Sequence, residues 1–121
     1  MSRCPHELRP LLQASWSGET SPQWRSDNPA RGQCNVTALV VNDICGGQIL
    51  KTDTPGGWHF YNVVSGTRYD LTESQFGIPI HYDDSISDRA EALADTTPTR
   101  YALLHGRVMK LLARLPDVEG G

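Results

Sequence analysis

The sequence predicts an α+β domain in which a central helix packs on a small antiparallel sheet. Three observations carry this. Apolar residues recur at helical spacing near both ends, a nearly apolar run over 34–45 is closed by Gly46-Gly47, and β-rich segments separated by glycine turns fill 48–71. At 121 residues the chain has the size of one domain, and no repeat or composition shift divides it, so 1–121 reads as a single folding unit.

Over 5–16, Leu8, Leu11, Leu12 and Trp16 fall on one helical face despite Pro10, which predicts a short amphipathic helix. Residues 17–32 hold Gly18, Pro22, Asn28, Pro29 and Gly32 among polar neighbours and read as a long irregular loop of the kind that carries function. The run 34–45 contains β-branched residues that leave a strand as an alternative. Helix is preferred because Gly46 suits a C′ position and because the run is longer than most strands and apolar all round, as a buried central helix would be. Strands are then expected over 48–52, 58–64 and 67–71, with Gly56-Gly57 as one turn and Ser65-Gly66 as a two-residue hairpin turn. Residues 77–97 are polar and read as a surface excursion with a short helix near 87–94. Over 99–115, Tyr101, Leu104, Val108, Leu111, Leu112 and Leu115 line one stripe of a last amphipathic helix.

Eleven Lys and Arg against 14 Asp and Glu give a formal charge of -3, which argues against a phosphate-neutralising surface and hence against nucleic acid as a partner. No stretch has the roughly 20 apolar residues of a membrane span, and the start of the chain lacks the apolar core of a secretory signal, so a cytoplasmic location without membrane contact is expected. In that reducing compartment Cys4, Cys34 and Cys45 are expected to be thiols, with Cys4 incidental in a loose terminus and Cys45 structural.

A two-residue turn at Ser65-Gly66 pairs Val64 with Thr67 and Asn62 with Tyr69. Alternation then puts His59, Tyr61 and Asp70 on one face, with Asp70 diagonal to His59. Cys34 stands at the expected helix start, where orphan amides and the positive end of the dipole favour a thiolate and supply donors to a developing oxyanion. These residues compose one mechanism, with Cys34 as nucleophile, His59 as general base and then acid, and Asp70 orienting the imidazole. It needs no cofactor, and it takes a small-molecule or peptide substrate. Trp58, beside His59, and Tyr61 are expected at the substrate cleft, where a tryptophan can shield the site from water.

The order of Gly32-Gln33-Cys34, His59-Phe60-Tyr61 and Tyr69-Asp70-Leu71-Thr72 resembles the layout of papain-like and transglutaminase-like cysteine enzymes. That resemblance implies a core with cysteine at a helix start and His and Asp on following antiparallel strands. It also implies an amide side chain shortly before the nucleophile in the oxyanion hole, for which Asn28 or Gln33 would serve. A closer resemblance, along most of the chain, is to the small bacterial YunG-like proteins. It is carried by Ser15-Trp16-Ser17, Thr20, Trp24, Asn28-Pro29-Ala30-Arg31-Gly32-Gln33-Cys34, Thr37-Ala38-Leu39-Val40-Val41, Gly46-Gly47, Asp70-Leu71-Thr72 and Gln75-Phe76.

The function expected is therefore a cysteine hydrolase or acyltransferase acting on an amide, peptide or thioester carbonyl through an acyl-enzyme. The alternative is a non-catalytic binding or regulatory module on the same fold. A third reading makes Cys34, His59 and Asp70 ligands of a catalytic metal, against which stands the absence of any closely spaced ligand pair; no metal site is expected.

Overall fold

A computed structural model describes residues 4–115; the reading of Met1 to Arg3 as part of a signal-free start lies outside them, as do the last residues of the 1–121 unit. The architecture is α+β. Helix α1 (Leu8–Ser15) and a long loop lead into α2 (Cys34–Cys45). Strands β1 (Gln48–Thr54), β2 (Gly57–Val64) and β3 (Thr67–Tyr69) follow, then a 3-10 turn (Glu73–Gln75), β4 (Ser85–Ile86), α3 (Arg89–Ala94) and α4 (Pro98–Ala113). The strands form one antiparallel sheet in the order β3-β2-β1-β4.

Helix α2 is the centre of the molecule because its run from Cys34 to Val41 is buried on every side. Cys34, Ala38 and Leu39 pack with Ile49 and Phe60 of the sheet, while Val36, Val40 and Val41 meet Leu8, Leu12, Leu104 and Val108 of α1 and α4. The polar residues that α2 does bury are bonded: Thr37 Oγ1 accepts from Trp16 Nε1 at 3.0 Å, and Asn35 Nδ2 donates to Ala92 O at 3.0 Å. The helix ends at Gly46 with φ of +73°. Gly47 follows with φ of +80°, and a Cβ there would fall 2.1 Å from Val63 O, so the chain can turn into β1 against β2 only without a side chain.

The β2–β3 register is Asn62↔Tyr69, Val63↔Arg68 and Val64↔Thr67. It is the register expected of a two-residue loop, and Ser65 and Gly66 both take positive φ as such a loop requires. The third strand is shorter than expected and ends at Tyr69, because Asp70 turns its carboxylate back onto Thr72 N at 3.2 Å and closes a local turn.

Three further features depart from the sequence reading. Helix α1 starts at Leu8 rather than Pro5, which places Pro10 in the first turn, where a missing N–H breaks no helical hydrogen bond. Residues inside the polar excursion supply β4, which pairs with β1 through Leu50↔Ile86 and Lys51↔Ser85. Cys4 and Cys45 form a disulfide with Cα atoms 5.5 Å apart. This corrects the expectation that all three cysteines are thiols and Cys4 an incidental one. Among the described residues no helix is long and apolar enough to cross a membrane.

Candidate active site

Cys34 is the first residue of α2, so its N–H belongs to the turn whose amides have no acceptor inside the helix. Its side chain is 8% exposed and lies on a cavity of about 970 Å³. Here the thiol donates to Asn35 Oδ1 at 3.2 Å, and Asn35 Nδ2 is in turn anchored to Ala92 O of α3 at 3.0 Å.

His59 lies on β2, is 2% exposed, and lines the same cavity. Its Nε2 is 2.7 Å from Asp70 Oδ2, the diagonal contact that the hairpin register makes possible. Burial opposes the charged imidazole, but the hydrogen bond to Asp70 and the interaction with Cys34 outweigh it and raise the pKa from 6.5 to about 9. Asp70 is itself held from several sides. Oδ1 accepts from Thr72 N at 3.2 Å and Thr72 Oγ1 at 3.3 Å, and Oδ2 accepts from Tyr82 Oη at 2.8 Å. Phe76 sets its ring edge-on to the imidazole, centroids 4.8 Å apart, and gives the pair an apolar cover.

The remaining residues expected at the site are placed differently. The Gln33 side chain is fully buried: Oε1 accepts from Thr20 Oγ1 at 2.8 Å and Nε2 donates to Ser17 O at 3.3 Å, so it braces the loop before α2 instead of facing a substrate. Asn28 Nδ2 donates to Gln75 O at 3.1 Å, tying the same loop to the 3-10 turn, and the residue is absent from the cavity wall. Tyr61 is buried and its phenol donates to Asp84 Oδ1 at 2.8 Å, which takes it out of the cleft. Trp58 does line the cavity, but at 47% exposure it is an open wall under Lys51 Nζ, 4.2 Å from the ring centroid; the shielding ring is Phe76.

Besides Asn35 and Phe76, two contributors from the loops went unread in the sequence. Gln23 lines the cavity with Cys34, its side chain lying across Gly32, where a Cβ would come within 2.9 Å of Gln23 Cβ. Tyr82, from the segment between the 3-10 turn and β4, donates to Asp70. A lone Gln after Pro22 and a lone Tyr in a polar excursion carry no spacing that marks them. The segments 17–32 and 77–97, read as loops, do supply much of the wall, including Ile78, Pro79, Ile80 and His81. Among the described residues no group of three or more His, Cys, Asp or Glu is placed to hold a metal ion; the imidazole is bonded to the Asp70 carboxylate and interacts with Cys34.

A family model described as YunG protein matches residues 4–113. A Bacillus subtilis (strain 168) protein described as "Uncharacterized protein YunG" is 46% identical over 91 residues, which cover 75% of this chain and 79% of that protein. No solved structure matches the chain.

Proposed function

The chain belongs to the YunG family, and for it we propose a cysteine-dependent acyl transfer or hydrolysis at an amide, peptide or thioester carbonyl. The observation that carries the reading is the His59 imidazole, bonded through Nε2 to a carboxylate at 2.7 Å, beside a thiol at a helix start on an open cavity. The chain order of these three residues is the ground of the resemblance to papain-like and transglutaminase-like enzymes on which the reading draws.

In the first half-reaction the Cys34 proton is already held on His59 as a thiolate–imidazolium pair, and the thiolate Sγ bonds to the carbonyl carbon. The oxyanion that develops faces the first amides of α2 and the Gln23 side chain, which takes the place given to Asn28 or Gln33 in the sequence reading. His59 then returns the proton to the leaving nitrogen or sulfur as that bond breaks, leaving an acyl-cysteine. Water or an amine closes the cycle by attacking the thioester, with His59 taking its proton and Sγ leaving. Asp70 keeps the imidazole in the tautomer and orientation that both halves need.

The test is the rate of iodoacetamide alkylation at Cys34, located by mass spectrometry, as a function of pH in wild type, His59→Ala and Asp70→Ala. An activated pair gives fast alkylation whose pH midpoint rises when His59 is removed. Slow alkylation that is indifferent to His59 would overturn the proposal.

A further inference from the structure

The geometry points to Tyr82 as a positioning residue that sets the basicity of His59 through Asp70 and ties that pair to the cavity wall; the inference rests on the thiol and imidazole reading above. Asp70 Oδ2 receives two donors, His59 Nε2 at 2.7 Å and Tyr82 Oη at 2.8 Å. A carboxylate oxygen shared between two donors holds each less strongly than it would hold one. The phenol therefore tempers the pull of Asp70 on the imidazolium, which is the species that must give its proton to the leaving group. Burial and the Asp70 hydrogen bond both push the Tyr82 pKa above its ordinary value, so the phenol keeps its proton, and its donor role, across the pH range in which His59 titrates.

Tyr82 also belongs to the segment that walls the cavity. Residues Ile78 to His81 just before it line the space over Cys34. This wall is pinned on β1, where Thr52 Oγ1 donates to His81 O at 3.1 Å and accepts from Asp83 N at 2.9 Å. Thr52 is the residue directly opposite His59 in the β1–β2 ladder. Wall, carboxylate and imidazole are thus joined by short hydrogen bonds, and a substrate that displaces the wall changes what Asp70 offers to His59. The charged and titratable groups around this unit are few. Asp70, Glu73, Arg68 and Tyr61 with its partner Asp84 face Tyr82, Asp70, Cys34 and the stacked Tyr61 ring face His59, and on the wall His81 pairs with Asp83.

The test follows the His59 Cε1–H resonance through pH by NMR in wild type, Tyr82→Phe and Tyr61→Phe. Tyr82→Phe keeps the ring contacts and removes one hydrogen bond, so the midpoint is expected to rise by roughly 0.5 to 1 pH unit. Tyr61→Phe removes a neighbouring phenol bonded to Asp84 and is expected to leave the midpoint in place. Substitution of 3-fluorotyrosine at position 82, which strengthens the donor without altering the packing, is expected to lower the midpoint and reads the same effect should Tyr82→Phe fold poorly. A midpoint that Tyr82→Phe leaves alone or lowers, or that Tyr61→Phe raises equally, would overturn the assignment. Alkylation of Cys34 that ignores His59→Ala would sink the acyl-transfer reading instead, and the imidazole titration still reports on Tyr82.

Discussion

Raising the pH through 9 should weaken this fold through a single side chain. The folded-state pKa of His59 is about 9 against 6.5 for the free imidazole. The folded state therefore binds this proton more tightly than the unfolded chain. The stability that comes from it is fully present below pH 6.5 and is lost as pH rises through 9. A difference of 2.5 units corresponds to about 3 kcal/mol. No discount for solvent applies, because both side chains are nearly inaccessible, 2% for His59 and 3% for Asp70. The assay is urea unfolding at pH steps from 6 to 9.5, in wild type and in Asp70→Asn, so that other groups cancel in the difference. Wild type should lose about 3 kcal/mol more than the variant across that range. At pH 6 the variant itself should be weaker by roughly 3–5 kcal/mol, the usual cost of leaving a buried partner unpaired. Parallel pH curves for the two proteins, or an NMR midpoint for His59 near 6.5, would refute the reasoning, since either means that Asp70 and Cys34 do not overcome burial of the imidazole.

Two further outcomes test the frame around the site. The Cys4–Cys45 bridge spans 41 residues of sequence, so its reduction, or Cys4→Ser, should cost up to ~4 kcal/mol by the loop-closure relation, read as a lower urea midpoint under reducing conditions. Gly47→Ala places a Cβ 2.1 Å from Val63 O at φ of +80°, and should destabilise by roughly 2–4 kcal/mol in urea unfolding, whereas Gly18→Ala, which meets nothing within 4 Å, should be close to neutral in the same assay.

What was legible in the sequence is what local rules determine. The Ser65-Gly66 turn sets the β2–β3 register, and alternation along the strands then brings Asp70 to His59 without knowledge of the rest of the fold. The apolar run that ends at Gly46 likewise identifies α2 as the buried helix. Gln33 and Asn28 were misjudged because proximity in sequence to Cys34 says nothing about side-chain direction in a loop. That direction is set by Thr20, Ser17 and Gln75, partners 13, 16 and 47 positions away. The wall of the cavity was illegible for the same reason. Tyr82, Asp83 and Asp84 are placed by hydrogen bonds to Asp70, Thr52 and Tyr61, and no periodicity announces any of these. The disulfide was missed because three cysteines allow three pairings, and only the tertiary fold brings Cys4, ahead of α1, to Cys45 at the end of α2.

The two cysteines of α2 show how one helix keeps opposite chemistries apart. Cys34 occupies the end where free amides and the positive dipole suit a developing negative charge, while Cys45 occupies the end where a thiolate would be disfavoured. As half of a disulfide, Cys45 carries no charge for the negative end to oppose. The helix also prevents the two from reacting with each other. Eleven residue steps at helical rise hold their backbones roughly 16 Å apart, more than twice the reach of a disulfide. An oxidant that closes Cys4 onto Cys45 cannot trap Cys34 with Cys45 while α2 is folded, and with both of its possible partners bound to each other Cys34 stays the free cysteine. The bridge and the nucleophile proposed here are therefore compatible in one molecule, and alkylation without reductant should label the chain once, at the helix end that faces the cavity.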